Sequence, residues 1–272
     1  MIGYVFIFFI LLLEGIYFTA YNLQNAYPLF GTTLSAVTFI FLILVPVLTM
    51  KTIAEERKQK TDQLLLTAPV SVSEIVLGKF LAVATVYAIP VLIICLYPMI
   101  MGKYGTVSYA MAYTAVLGFA LLGFAQIAVG VFWSSVTENP VIAAVVTFIV
   151  LFVCYMITGI GSLIPDSSMA SLACYMLLVL LAAVWVYHMI RNLWIAAVIG
   201  IAGEAALAIT YVVKSTLFEG SIQKFLAVFD ITSHFDNFTN GILDLQGVVY
   251  FLSVIIIFLV LTVQTITKRR WN

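Results

Sequence analysis

Nine of the chain's 24 Lys, Arg, Asp and Glu residues crowd between Lys51 and Lys79, in KTIAEERKQKTDQLLLTAPVSVSEIVLGK. Acids and bases interleaved at this density serve recognition by a soluble partner, or solvate a loop, better than they serve covalent chemistry. The rest of the chain offers little else to react. His188 and His234 each lack a second histidine nearby, so neither reads as a metal ligand: His188 suits an interfacial span end, His234 a cap or surface position. Cys95, Cys154 and Cys174 lie inside apolar runs without metal or disulfide spacing, as small packing residues do. No Gly-x-x-x-x-Gly-Lys-Ser/Thr run is present, so the chain cannot cradle nucleotide phosphates itself. No catalytic, metal-binding or cofactor-binding residue is assigned, and no cofactor is expected. Twelve basic against twelve acidic residues give no electrostatic ground for nucleic acid as a partner.

Glu14 and Glu204 are the two carboxylates well inside apolar runs. Ionisable groups at lipid depth are costly and point to function by default. Without matching intramembrane bases they do not make a proton relay. Two readings stay open: interhelical hydrogen bonding as neutral acids, or a place in a substrate path.

The elements that must carry these residues are membrane helices. The 272 residues are 64% hydrophobic and 9% charged, with mean hydropathy +1.18. A soluble domain carries roughly 25% charged residues, so a water-facing surface cannot be built from this composition. Apolar runs of about 20 residues recur, each long enough to cross the hydrocarbon core as a helix. They are continuously apolar and do not alternate, which favours helices over barrel strands. Eight spans are predicted, at 2–21, 30–50, 75–101, 109–133, 140–161, 169–187, 193–213 and 248–266. A tight hairpin at Arg191-Asn192 separates the sixth from the seventh. Met1 leads into an apolar run with no basic region and no cleavage site, so the first run is expected to remain as an anchor.

With eight spans, Lys51, Arg57, Lys58, Lys60, Lys79, Arg191, Lys268, Arg269 and Arg270 share one side, and Lys103, Lys214 and Lys224 the other. Nine against three places both termini and the charged stretch in the cytoplasm. Local signals sharpen the helix starts. Asn139-Pro140 sets an N-cap before a first-position proline. Ser71-Val72-Ser73-Glu74 fits a capping box bracketed by Val70 and Ile75. Upstream of Pro69, Glu56/Lys60 and Glu55/Lys58 stand at helical spacings in a short amphipathic helix. Before the last span, Phe218, Ile222, Phe225, Leu226 and Phe229 recur at helical spacing opposite Glu219, Ser221, Gln223 and Lys224, which suits an interfacial or re-entrant helix. Asn237-Phe238-Thr239 is a formal glycosylation sequon.

The stretch from Ile53 to Ala82 resembles the signature of permease subunits of type-2 ABC exporters, in particular the gliding-motility-associated group. Thr61, Leu64, Leu65, Leu66, Thr67, Pro69, Val70, Glu74, Ile75, Val76, Leu77, Gly78 and Lys79 carry the likeness. Ser233-His234-Phe235 with Phe238, Gly241 and the closing Lys268-Arg269-Arg270-Trp271 add to it, as does Gly3-Tyr4-Val5-Phe6. The resemblance implies an all-α polytopic membrane protein with about eight transmembrane helices. It implies a cytoplasmic coupling helix between the second and third spans and an external helix before the last. The whole of 1–272 would be a single permease domain, with a coupling segment at 51–74, an additional two-helix insertion at 162–213 and an external segment at 214–247. The implied partners are a separate ABC ATPase subunit, a second permease subunit (the same or a paralogue) and the lipid bilayer, in a bacterial cell membrane. The implied ATPase-coupling residues are Glu55, Glu56, Arg57, Lys58, Thr61, Leu64, Leu65, Leu66 and Pro69. Two features depart from the pattern: the chain opens inside the first span, where the group usually has a surface helix, and it carries the extra pair of spans. The competing functions are a secondary transporter, for which no internal repeat is found, a membrane-embedded enzyme, which lacks a reactive constellation, and a non-transporting scaffold.

Overall fold

The computed structural model describes residues 2–62, 70–190 and 192–270, without the side chains at 185, 188–190, 193, 195–196 and 270. Helices occupy all eight predicted places. They are α1 (Ile2–Tyr17, prolonged by a π-helical Phe18–Gln24), α2 (Phe30–Thr49), α4 (Val72–Ile94, followed by the short α5, Tyr97–Met101), α6 (Tyr109–Val136), α7 (Pro140–Ser162), α8 (Ser168–Ile190), α9 (Leu193–Val213) and α12 (Leu245–Arg270). The short elements are α3 (Ala54–Lys58), α10 (Ser221–Ala227) and α11 (Asp236–Thr239). No strand occurs among the described residues.

Six described helices are long and apolar enough to cross a membrane, and a seventh is reached if a bent pair counts as one span. In α8 and α9 the described residues do not reach that length alone. The described apolar part of α8 is the shorter Ser168–Val184, and the chain leaving α9 turns by 116° into Ser215–Ala227.

Helix ends follow their local chemistry. Ser71 Oγ accepts from the Glu74 amide at 3.3 Å and Glu74 Oε2 from the Ser71 amide at 3.0 Å, closing the predicted capping box. Asn139 Oδ1 accepts from the Val141 amide at 3.0 Å ahead of α7, and Asn192 Oδ1 from Trp194 at 3.0 Å ahead of α9. Each supplies an acceptor to amides that no helical carbonyl reaches. Pro46 and Pro90 sit inside α2 and α4, and both helices continue through them.

Two compact units make up the chain: residues 1–153 with 231–272, and residues 154–230. In the first, α6 is the central helix, packed most extensively against α12 and α2. Phe41, Tyr87 and Phe119 form a fully buried aromatic knot there, with ring centroids 4.8 Å (Phe41–Phe119) and 5.7 Å (Phe41–Tyr87) apart. Buried phenols need a partner, and Tyr87 donates to the Phe119 carbonyl at 2.7 Å. Gly123 makes room for that ring: a Cβ there would stand 2.2 Å from Tyr87 Cζ. Phe235 and Phe238, just before α12, are buried against Gly118 of α6.

The second unit joins the end of α7 to the α8–α9 hairpin and α10. Glycine at 200 and 203 lets α9 lie against Ala183 and Val179 of α8, so the two helices run antiparallel. The aromatic stripe expected on one continuous helix is split. Gly220, at φ 63°, ends the 3-10 turn Ser215–Phe218 before α10 begins. Phe218 and Ile222 are buried, Phe218 and the more exposed Phe225 both meet Tyr175 edge-on, and Phe229 stays exposed.

Candidate functional site

The charged stretch folds as an elbow between α2 and α4, and its first half is bolted to the bundle. Ser134, fully buried near the end of α6, holds the start of α3. Its Oγ accepts from the Ile53 amide at 3.0 Å and the Ala54 amide at 3.1 Å, and donates to the Met50 carbonyl at 3.1 Å. These are amides that a helix start leaves without an intrahelical acceptor. One hydroxyl from α6 therefore satisfies the turn from α2 into α3.

Arg57 adds a second bolt. Its side chain is only 4% exposed, although a guanidinium is rarely hidden without partners. Nη1 donates to the Ser135 carbonyl, and Nη2 reaches Glu138 Oε1 at 3.1 Å. Arg269 of α12 approaches the same Glu138 oxygen at 3.9 Å, so a single carboxylate faces guanidinium groups from the elbow and the last helix. Glu138 is 71% exposed, which keeps its Coulomb contribution small. The fork geometry and the buried carbonyl bond matter more.

A third bolt comes from α4. Lys79 pairs with Glu56 and donates to the Thr52 carbonyl at 3.0 Å. Thus α3 is fastened to α6 by backbone amides and Arg57, and to α4 by Glu56. Its other face is free of these fastenings. Glu55 lies beside Lys51 at 3.9 Å and accepts from Gln59 at 3.0 Å. Lys58, Gln59, Lys60 and Thr61 are exposed, with Lys60 in the left-handed region at φ 58°.

The predicted coupling residues therefore divide. Glu56 and Arg57 point into the fold, Glu55, Lys58 and Thr61 lie on the outer side, and Leu64, Leu65, Leu66 and Pro69 fall outside the described residues. Sequence reasoning passed over Ser134, Ser135 and Glu138. The signal available was a polar Ser-Ser-Val-Thr-Glu-Asn run closing an apolar helix on the same predicted side as the elbow.

The two acids expected at lipid depth belong to different units. Glu14 is fully buried in the first unit, and Glu204 belongs to α9 in the second. Neither carboxyl accepts a hydrogen bond from the described residues. Among the described residues no group of three or more His, Cys, Asp or Glu gathers as a metal site. His234 stacks on Tyr250 with ring centroids 3.7 Å apart.

A family model described as ABC-2 family transporter protein matches residues 11–269. No curated protein and no solved structure matches the chain.

Proposed function

Because the chain belongs to the ABC-2 transporter family, in which it is a multi-pass membrane permease, we propose that it couples ATP hydrolysis on a separate subunit to substrate export. The elbow is the place of coupling. Its segment would lie in the cytoplasm with both termini, as the distribution of Lys and Arg favours, in a bacterial membrane. A second permease subunit, identical or paralogous, would complete the path between the two. The gliding-motility-associated group remains the subgroup that the elbow motif resembles.

The observation that carries this reading is the triple fastening of α3 described above. A partner pressing on the outer face would not bend a loose loop. It would move α6 through Ser134 and Arg57, and α4 through Lys79. Since α6 packs most extensively with α12 and α2, that displacement reaches most of the first unit. Closing the ATPase pair on ATP would thereby tilt packed helices as rigid bodies, which is how tightly packed cores transmit strain. The chain contributes positioning and a path, and no covalent step.

The test separates the two faces of α3. Glu55→Lys with Lys58→Glu and Lys60→Glu inverts the outer face and spares Glu56 and Arg57. Tagged chain recovered from its native membranes is expected to lose the co-purifying ATP-hydrolysing subunit, with its own yield and elution unchanged. Full retention of that subunit and of its ATPase activity would overturn coupling at this surface.

A further inference from the structure

The α8–α9 hairpin carries a feature that coupling at the elbow does not use. Beside the close seam made by Gly200 and Gly203 lies an open groove of about 690 Å³. Leu180 and Val184 of α8 and Ile201, Ala205 and Ala208 of α9 line it, together with Glu204. Glu204 is the one charged side chain in the lining and the one charged residue of α9. Both of its carboxyl oxygens lie just beneath the groove wall without a hydrogen bond from any described residue.

An acid in this position needs an account. Native proteins leave few buried polar atoms unsatisfied, and each exception points to strain, chemistry or a missing ligand. The helix gains nothing from the carboxylate as packing, since a leucine would fill the same space without losing water. The groove volume lies within the roughly 300–1,000 Å³ typical of small-molecule sites. Its walls are continuous with exposed apolar side chains such as Leu177 and Ile201, so a ligand would come through the lipid phase. Charge decides which ligand. A neutral or anionic amphiphile would leave the acid orphaned or repel it. A monocation with an apolar body would seat its charge on the carboxylate and its body on the alkyl wall, with Glu204 swinging outward by rotation of its side chain.

We propose that this groove is a binding site for lipophilic monocations, with Glu204 as the counter-ion. The site lies wholly within residues 154–230, and it does not depend on an ATPase partner or on the elbow. It can therefore fail, or survive, separately from the coupling proposal.

The experiment measures equilibrium binding of radiolabelled tetraphenylphosphonium to the full chain in nanodiscs of zwitterionic lipid, without nucleotide. One saturable site is expected, displaced by dodecyltrimethylammonium and not by dodecanol. Glu204→Gln should weaken it by about tenfold or more, the loss of one desolvated charge pair. Ala205→Phe keeps the acid and fills the groove, and should abolish binding even if Glu204→Gln does not fold. No saturable binding to wild-type protein would overturn the proposal, as would equal affinity in Glu204→Gln or in Ala205→Phe. Self-cross-linking of an Ala205→Cys variant in a chain that binds no phosphonium would assign the groove to a second copy and overturn it equally.

Discussion

Arg57 at the elbow and Glu204 in the α8–α9 hairpin are both ionisable groups withdrawn from water, and they are treated in opposite ways. Around Arg57 the fold gathers a backbone carbonyl from α6 and a carboxylate just beyond it. Around Glu204 it gathers alkyl groups. Burial of a charge is costly in either place. Where partners meet it, that cost is offset by hydrogen bonds that fix one geometry, and the result is a brace. Where none meets it, the cost stands, and a partner from outside would relieve it. The same residue chemistry thus marks a rigid joint in one unit and an open site in the other.

The sharpest way to break the comparison is to remove each group while keeping its apolar bulk. Arg57→Met retains the stem and deletes the fork, leaving the Ser135 carbonyl without its donor and α3 with one fewer bolt. A buried group left unsatisfied costs about 1–3 kcal/mol. We expect a loss of about 2 kcal/mol, read as a lower thermal midpoint of the purified chain, and faster proteolysis within the elbow. A midpoint equal to wild type would show that the clamp does not brace the elbow.

Glu204→Leu should move the opposite way. It removes an acid that the described residues leave unpartnered, and replaces it by a side chain that suits its surroundings. A gain of about 1 kcal/mol follows from the transfer cost of an uncompensated polar group. The thermal midpoint in ligand-free detergent is the measurement. A marked loss would mean that Glu204 has a structural partner, and the contrast with Arg57 would collapse.

How far these two sites were legible depends on the distance over which their partners lie. The capping box at Ser71 and Glu74, the Asn139-Pro140 helix start and the break at Asn192 were readable because each is settled within three residues. The membrane class was readable from composition. Arg57 stood among the implied coupling residues, and nothing local reveals that its side chain is buried. Its partners lie 78 and 81 residues further along the chain. The turn inside the aromatic stripe from Phe218 to Phe229 was illegible for a related reason. The stripe's period is helical, and the period does not reveal that Gly220 adopts a positive φ between Phe218 and Ile222, which are both buried. Glu204 was visible as an acid at lipid depth, but its groove required the register of α8 on α9.

Asp244 supplies the remaining case, partners without full burial, and so isolates what hydrogen bonding alone contributes. It is partly exposed at the start of α12, where Oδ2 accepts from Asn237 Nδ2 at 2.9 Å and Oδ1 from the Gln246 amide at 2.9 Å. The Asn237 side chain is the main cause holding its carboxyl below the ordinary 3.8, with the Gln246 and Gly247 amides adding to it. A folded-state value below the unfolded one means that the unfolded chain takes up the proton first as pH falls. The stabilisation is thus present above the ordinary carboxylate range and is lost as the pH drops through the lower, folded value. Asp244→Asn cannot follow this titration. Its thermal midpoint should lie slightly below wild type near neutral pH, and the difference should shrink towards zero on acidification below about pH 4. A difference that persists unchanged at low pH would assign the effect to the shape of the turn and not to the carboxylate, and hydrogen bonds to a partly exposed acid would then no longer explain how the buried Arg57 is held.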